Sequence, residues 1–112
     1  MKKIKLTCAH AVVKYLIAQK ILINGKKEPL FPGVFGIFGH GNVACLGQAL
    51  EENQKDLPTY RGHHEQNMAL TGIGYARAKR RQQIFIATAS VGPGATNMVT
   101  AAAVAMSNRL PI

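Results

Sequence analysis

The segment with the clearest chemical potential is residues 61–78, RGHHEQNMALTGIGYARA, in which a carboxylate stands near the start of an apolar helix. Its apolar and small residues recur at the three- and four-residue steps of one helical face: Met68, Ala69, Gly72, Ile73 and Ala76. Glu65 therefore falls in the first turn, where unpaired N–H groups and the helix dipole favour a carboxylate by roughly 0.3–1 kcal/mol. The pattern leaves both a structural and a catalytic role open for Glu65.

Two glycine-rich turns supply further candidate residues. The first, GHGNVA at residues 39–44, matches G-x-G-x-x-A between a strand and a helix, as in dinucleotide-binding folds. Arg61 stands about 20 residues further on, where it suits a ribose 2′-phosphate. An NADP-binding half-domain is therefore one interpretation of the sequence. The second turn, SVGPG at residues 90–94, follows an apolar run.

Histidines near these turns are candidate proton carriers, since imidazole can act as acid or base near neutral pH. His40 lies in the first turn, whereas His63 and His64 immediately precede Glu65. We regard His40 as the better catalytic candidate of the three. His10 has no second metal ligand at helical spacing, so we expect it to be a surface or hydrogen-bonded polar residue.

The first part of the chain is predicted to form a helix and a hairpin. Thr7 can cap a helix that runs to about Lys20. The apolar face of this helix consists of Ala9, Val12, Val13, Leu16 and Ile17. The Asn24-Gly25 dipeptide suits a type I′ turn and predicts a hairpin excursion within residues 21–32.

The remainder is predicted to contain three strand-helix units. Val34 to Phe38 is an apolar strand followed by GHGN and a helix marked by Val43, Leu46 and Leu50. Residues 59–61 lead into the Glu65 helix, which begins near His64. Ile84 to Thr88 is the next strand. A last helix, ending before Pro111, is predicted to bury one face: Ala95, Met98, Val99, Ala102 and Met106.

Strands that alternate with helices predict an α/β fold, an open parallel sheet with helices on both faces. Catalytic loops of such sheets gather at the carboxyl ends of the strands. GHGN, GHHEQ and SVGPG all follow strand segments. We therefore expect these loops to share one edge of the sheet.

Composition narrows the class of protein. A chain of 112 residues with 47% hydrophobic content is typical of one compact soluble domain. It has no apolar run near the ~20 residues that span a bilayer and no signal-peptide pattern, which predicts a cytoplasmic protein without membrane contact. Cys8 and Cys45 lack metal-site spacing, and we predict reduced, buried thiols.

The net charge of +9 raises the alternative of a non-enzymatic nucleic-acid-binding module. The densest basic run is Arg77 with Lys79 to Arg81, at the end of the predicted Glu65 helix, where cations complement the helix dipole. We favour a solvated helix end and expect no nucleic-acid partner.

Two motifs, HEQNMALTGIGYARA and SVGPGATNMVTAAAVAMSNRLPI, resemble those of the thiamine-diphosphate-dependent enzymes. The resemblance implies that Glu65 hydrogen-bonds the aminopyrimidine ring of the cofactor and helps to deprotonate its thiazolium carbon. The other cofactor-binding positions that it implies are Gly39, Gly41, Ser90, Gly92, Pro93 and Asn97. The sequence departs from the family pattern at His40, Asn42, Asn67 and Met68.

The family holds Mg²⁺ and the diphosphate through a GDG motif on another domain, and this sequence contains no GDG. The resemblance therefore implies that residues 1–112 are a partial, truncated pyrimidine-binding domain. This part is expected to be inactive alone and to need the diphosphate-binding domain of a neighbouring subunit. Small residues such as Gly72, Gly74 and Ala101 to Ala103 suit the helix packing of a homo-oligomer.

Within the family, FGIFGHGN, GQALEE and the INGKKEP segment are most similar to a branch that opens a cyclic 1,2-diketone. The resemblance implies a small-molecule substrate, carbon–carbon cleavage and hydrolytic release of the product. An acetolactate synthase-like enzyme is the alternative within the same family.

Overall fold

Helices and short strands alternate along most of the chain. The computed structural model describes residues 3–112. In chain order the elements are α1 (Cys8–Ala18), β1 (Lys20–Ile23), β2 (Lys26–Pro29), β3 (Val34–Gly36), α2 (Gly39–Asn42), a π-helical turn (Val43–Gly47), α3 (Gln48–Glu52), β4 (Thr59–Arg61), α4 (Glu65–Ala78), β5 (Ile86–Thr88), α5 (Pro93–Thr96) and α6 (Val99–Asn108).

The three later strands form a parallel sheet in the order β4-β3-β5. Val34 of β3 pairs with Thr59 of β4 and with Ile86 of β5. Successive side chains of a strand point to opposite faces. Accordingly, Ile86 packs against the apolar cluster of α1 and α3, whereas Ala87 packs against that of α4 and α6. The predicted α/β fold, a parallel sheet with helices on both faces, is confirmed.

The outer edge of β4 is occupied by a side chain. The N–H of Thr59 donates to Oε1 of Gln54 at 3.0 Å, and Nε2 of Gln54 donates to the Thr59 carbonyl at 3.2 Å. The neighbouring Pro58 carbonyl instead accepts from Val34 of β3 at 2.9 Å. One carboxamide thus satisfies both backbone groups that Thr59 turns away from the sheet.

The first helix begins where the sequence predicts. The Thr7 hydroxyl accepts a hydrogen bond from the backbone N–H of His10 at 3.2 Å, which confirms the cap. Nε2 of His10 lies 2.8 Å from a carboxylate oxygen of Glu52, so this histidine is hydrogen-bonded as expected. The hydrogen bond from His10 is also the main cause that holds the pKa of Glu52 below its ordinary value. Val12 was predicted on the buried face, but it is 45% exposed.

A hairpin occupies residues 20–29, with β1 and β2 paired antiparallel. Asn24 and Gly25 both have positive φ, 50° and 78°. A type I′ turn requires positive φ at both central residues, and Asn-Gly adopts it at low cost.

The strands of the sheet are shorter than the apolar runs that predicted them. β3 ends at Gly36 and β5 begins at Ile86. Backbone hydrogen bonds nevertheless continue on both sides, from Ile37 N–H to the Thr88 carbonyl at 3.1 Å and from Ile84 N–H to the Leu30 carbonyl at 3.0 Å. The apolar runs therefore mark the sheet correctly, although regular pairing covers only their central part.

The core on the α1 and α3 face gives a direct test of this packing. Leu50 is 2% exposed and belongs to a cluster with Val13, Val34 and Leu57. We expect Leu50→Ala to lower the free energy of unfolding by about 2–5 kcal/mol, because a cavity remains where the side chain was. Leu22→Ala is the control, since Leu22 is 71% exposed. Urea denaturation of the two variants measures both changes, and equal losses would contradict this core.

The GHGN segment departs from the sequence prediction. It was expected to be a glycine turn before a helix, but residues 39–42 are already helical as α2. Gly39 takes a φ of +65°, which allows the chain to turn directly from the strand into the helix. The π-helical turn then connects α2 to α3. The glycine therefore starts the helix rather than a separate turn.

The last helix is also different from the prediction. It is divided into α5 and α6, and α6 buries Ala101 and Ala105. Val99 and Met106, predicted to be buried, are 63% and 85% exposed. The VTAAAVAM segment has apolar residues on all sides of the helix, so the sequence does not indicate which side is buried. Packing against α4 buries the small side chains Ala101 and Ala105.

The prediction of buried thiols is wrong. Cys8 and Cys45 are both free and exposed. Cys8 lies in the first turn of α1, one residue before the partly buried Ala9, and Cys45 lies in the π-helical turn. Among residues 3–112, no helix is long and apolar enough to cross a membrane.

Candidate active site

The loops that follow the three parallel strands come together at the carboxyl edge of the sheet. The side chain of Asn42 donates to the Ala89 carbonyl at 3.1 Å, which joins the loop after β3 to the loop after β5. Gly39 lies against Ser90 so closely that a Cβ at position 39 would be 2.6 Å from the Ser90 Cβ. The expectation of one shared edge is confirmed for these two loops.

Glu65 joins the third loop to this edge. It is the first residue of α4 and is 9% exposed. Nδ2 of Asn97, which follows α5, donates to Oε2 of Glu65 at 2.9 Å. This hydrogen bond links the start of α4 to the loop after β5. The predicted apolar stripe of α4 is buried as expected. Glu65 continues this buried face to the carboxyl edge of the sheet.

The pKa of the Glu65 carboxyl lies below its ordinary value of 4.5. The main cause is the hydrogen bond from Asn97, followed by the backbone N–H of Glu65 itself. Burial raises the pKa, while the nearby His64 lowers it. The residue has little exposed surface but lies at an open edge of the sheet, so hydrogen bonding outweighs desolvation. Glu65 is therefore a carboxylate at neutral pH.

This lowered pKa predicts how stability depends on pH. A carboxyl whose pKa is lower in the folded state stabilises the fold above its unfolded pKa, near 4.5, and loses that contribution as the pH falls through the folded pKa. We expect the unfolding free energy of the native protein, minus that of Glu65→Gln, to decrease as the pH falls below 4.5. Urea denaturation at a series of pH values measures this difference. A difference that increases toward low pH would contradict the assignment.

Gly94 forms the surface that faces the second carboxylate oxygen. It is buried in α5, and a Cβ at this position would lie 3.0 Å from Oε1 of Glu65. The same Cβ would collide with Oγ of Ser90. Glycine therefore allows α5 to approach Ser90 and Oε1 of Glu65 closely, while Oε2 is engaged by Asn97.

The other residues singled out from the sequence lie around this cluster without such contacts. His40, His63 and His64 are exposed, and so are Gly41 and Pro93. Gly92 has a φ of +66°, but nothing lies within 4 Å of where its Cβ would be. The structure thus brings together Glu65, Ser90, Asn97 and Gly39, and leaves the other predicted positions on the surface of the same loops.

Two cavities adjoin the first loop. One, of about 530 Å³, lies between the ends of β3 and β4 and α3, and its polar lining includes His40, Glu51 and Arg61. The other, of about 220 Å³, lies between the GHGN segment and Ser90. Glu65 lines neither cavity. The hydrogen-bonded carboxylate is the better guide to chemistry, because cavity size alone does not indicate a reactive group.

Sequence reasoning missed two parts of this site. The contact between Asn97 and Glu65 joins residues 32 positions apart, and no local pattern reports it. Sequence analysis also did not predict that Glu51 lines the larger cavity, because α3 contains no motif. The only sequence signal for these parts of the site was the expected meeting of the loops at one edge of the sheet. In residues 3–112, no group of three or more His, Cys, Asp or Glu residues is arranged to hold a metal ion.

Comparison with known proteins identifies the family. The family model described as "Thiamine pyrophosphate enzyme, N-terminal TPP binding domain" matches residues 28–112 of the chain. The whole chain is similar to proteins named 3D-(3,5/4)-trihydroxycyclohexane-1,2-dione hydrolase, with 52% identity in Geobacillus thermodenitrificans, 49% in Clostridium tetani and 46% in Bacillus thuringiensis. The chain spans 18%, 17% and 17% of the length of these relatives. The chain belongs to the thiamine pyrophosphate enzymes, and what it shares with them is their N-terminal TPP-binding domain.

Proposed function

We propose that this chain is the pyrimidine-binding part of a thiamine-diphosphate-dependent hydrolase that opens trihydroxycyclohexane-1,2-dione. The observation that carries the proposal is Glu65, a buried carboxylate held by Asn97 where the loops of the parallel strands meet. Identity of 46–52% over the full chain with named hydrolases supports this substrate. The product is then 5-deoxy-glucuronate, and the reaction belongs to inositol breakdown.

The residues present fit the aminopyrimidine ring of thiamine diphosphate. Oε1 of Glu65 is not the oxygen that Asn97 bonds, so it remains available to a donor group of the ring. A ring nitrogen can share a proton with that oxygen, which is the interaction that the family resemblance implies. When bound, thiamine diphosphate supplies the carbon nucleophile for the reaction.

The roles of this chain's own residues follow from their positions. Glu65 holds and releases a proton at its free oxygen. Gly39, Ser90 and Gly94 form a close-packed wall in which no larger side chain fits at the two glycines. Gly41, Gly92 and Pro93 belong to the same loops and are proposed to bound the cofactor site. His40 is exposed beside both cavities, where it can exchange protons with a bound polar substrate.

The remaining parts of the proposal concern the complete protein. We infer that residues 1–112 form part of a pyrimidine-binding domain and that another domain, in a neighbouring subunit, holds the diphosphate and Mg²⁺. The absence of a GDG motif in the sequence supports this division. We further propose that the complete protein is a homo-oligomer located in the cytoplasm.

The test uses the complete enzyme with thiamine diphosphate and Mg²⁺. Incubated with trihydroxycyclohexane-1,2-dione, it is expected to consume the dione and release 5-deoxy-glucuronate, as followed by mass spectrometry. Pyruvate is the comparison substrate. Formation of acetolactate without turnover of the dione would instead support the acetolactate synthase-like alternative.

A further inference from the structure

Asn97 and Glu65 form a polar contact between two different strand-helix units. Glu65 begins α4, whereas Asn97 stands between α5 and α6. Their side chains meet at 2.9 Å, from Nδ2 to Oε2. The orientation of the amide follows from chemistry, because an ionised carboxylate only accepts hydrogen bonds and the –NH₂ group must therefore face it.

This contact makes the two oxygens of Glu65 inequivalent. A donor that faces Oε2 disfavours a proton on that atom, because the unprotonated oxygen of a carboxyl group is the better acceptor. Asn97 does not bond Oε1, which lies near Gly94 and Oγ of Ser90. The free oxygen is therefore the one at which Glu65 can take up or release a proton.

We propose that Asn97 is a positioning residue, which holds Oε2 of Glu65 so that Oε1 alone exchanges a proton with the ring of the bound cofactor. The proposal rests on the function proposed above for Glu65. It replaces direct cofactor binding as the role of Asn97, because Asn97 acts through the carboxylate.

The titratable residue whose charge affects the pKa of Glu65 is His64, the N-cap residue of α4. The loop after β5 presents the uncharged Ser90, Gly94 and Asn97. His40, at the edge of the first loop, is exposed. The hydrogen bond from Asn97 is the largest cause of the lowered pKa, which agrees with its geometric role.

The first test needs no cofactor. Asn97→Ala removes the donor, and Asn97→Asp keeps the shape but places a second carboxyl beside Glu65. Asn108→Ala is the matched control, because Asn108 donates its amide to the Val104 carbonyl at 2.9 Å, away from the site. The complete cofactor-free protein is labelled with ¹³C at glutamate carboxyls, and the Glu65→Gln spectrum identifies the Glu65 signal.

We expect the pKa of Glu65, read from this signal, to rise in Asn97→Ala and to rise further in Asn97→Asp. In Asn108→Ala it stays at the native value. An unchanged pKa in Asn97→Ala would overturn the proposal. The pKa of Glu65 can be measured whether or not the protein uses thiamine diphosphate. A negative result would therefore contradict the role of Asn97 without contradicting the proposed function.

The second test follows exchange of the C2 proton of bound thiamine diphosphate in the complete enzyme. By analogy with the outer hydrogen-bond partners of metal ligands, whose loss costs about 10- to 100-fold, we expect the rate in Asn97→Ala to fall about tenfold. The pH at which exchange is half-maximal moves upward, while cofactor affinity changes little. A loss of affinity with unchanged exchange per bound cofactor would show that Asn97 binds the cofactor directly and would overturn the positioning role.

Discussion

Replacing Glu65 by Gln in the complete enzyme is expected to slow exchange of the C2 proton of bound thiamine diphosphate by about 100- to 10,000-fold. Gln keeps the size of the side chain and can still accept from Asn97, but it cannot take up and release a proton. The fold is expected to persist, because the amide is neutral and hydrogen-bonded. The measurement is hydrogen–deuterium exchange at C2, followed by NMR after acid quench.

The control for this substitution is Glu28→Gln, which makes the same chemical change in the β1–β2 hairpin. It is expected to exchange at the native rate. If Glu65→Gln exchanges as fast as the native enzyme with the cofactor bound equally tightly, Glu65 serves only to begin α4. Exchange at C2 requires no substrate, so the outcome does not depend on the identity of the dione.

Adding a single methyl group at Gly94 is expected to have the second-largest effect. In Gly94→Ala the new Cβ collides with Oγ of Ser90 and comes within 3.0 Å of Oε1 of Glu65. Overpacking of this kind costs about 1–3 kcal/mol of stability. Relief of these contacts would shift Ser90 or the carboxyl group of Glu65, which we propose meets the cofactor ring. We therefore expect weaker binding of thiamine diphosphate in addition to a lower urea midpoint.

Gly74→Ala is the matched control for Gly94→Ala. Gly74 is exposed in α4, and nothing lies within 4 Å of where its Cβ would be. This substitution is expected to stabilise the helix by about 0.5–1 kcal/mol, because alanine loses less backbone entropy than glycine. Calorimetric titration of both variants with thiamine diphosphate and Mg²⁺ measures the affinities. Equal affinities in the two variants would contradict the proposed cofactor position.

The periodicity of apolar residues predicted which side of a helix is buried when the two sides of the helix differ in polarity. The buried stripe of α4, from Met68 to Ala76, was predicted correctly because charged and polar residues occupy its opposite side. The same reasoning failed for α6, where Met106 is exposed and Ala105 is buried. An all-apolar helix carries no information about its own orientation, and the contact with α4 decides it.

Prediction of the site was limited by distance along the chain. Glu65 could be identified because its position at a helix start and its neighbouring residues are local features. The resemblance named Asn97 as a site residue, but its contact with Glu65 could not be identified, since their hydrogen bond depends on how the units after β4 and β5 approach each other. The shared edge of the sheet was predictable from topology, whereas the individual contacts across it required coordinates.

The carboxamide of Gln54 has a consequence for how this protein can associate. An outer strand with free backbone groups can pair with a strand of another molecule and extend the sheet from one molecule to the next. At β4 the N–H and the carbonyl of Thr59 are already hydrogen-bonded to Gln54. A strand of another molecule would therefore have to displace the Gln54 carboxamide before it could extend the sheet at Thr59.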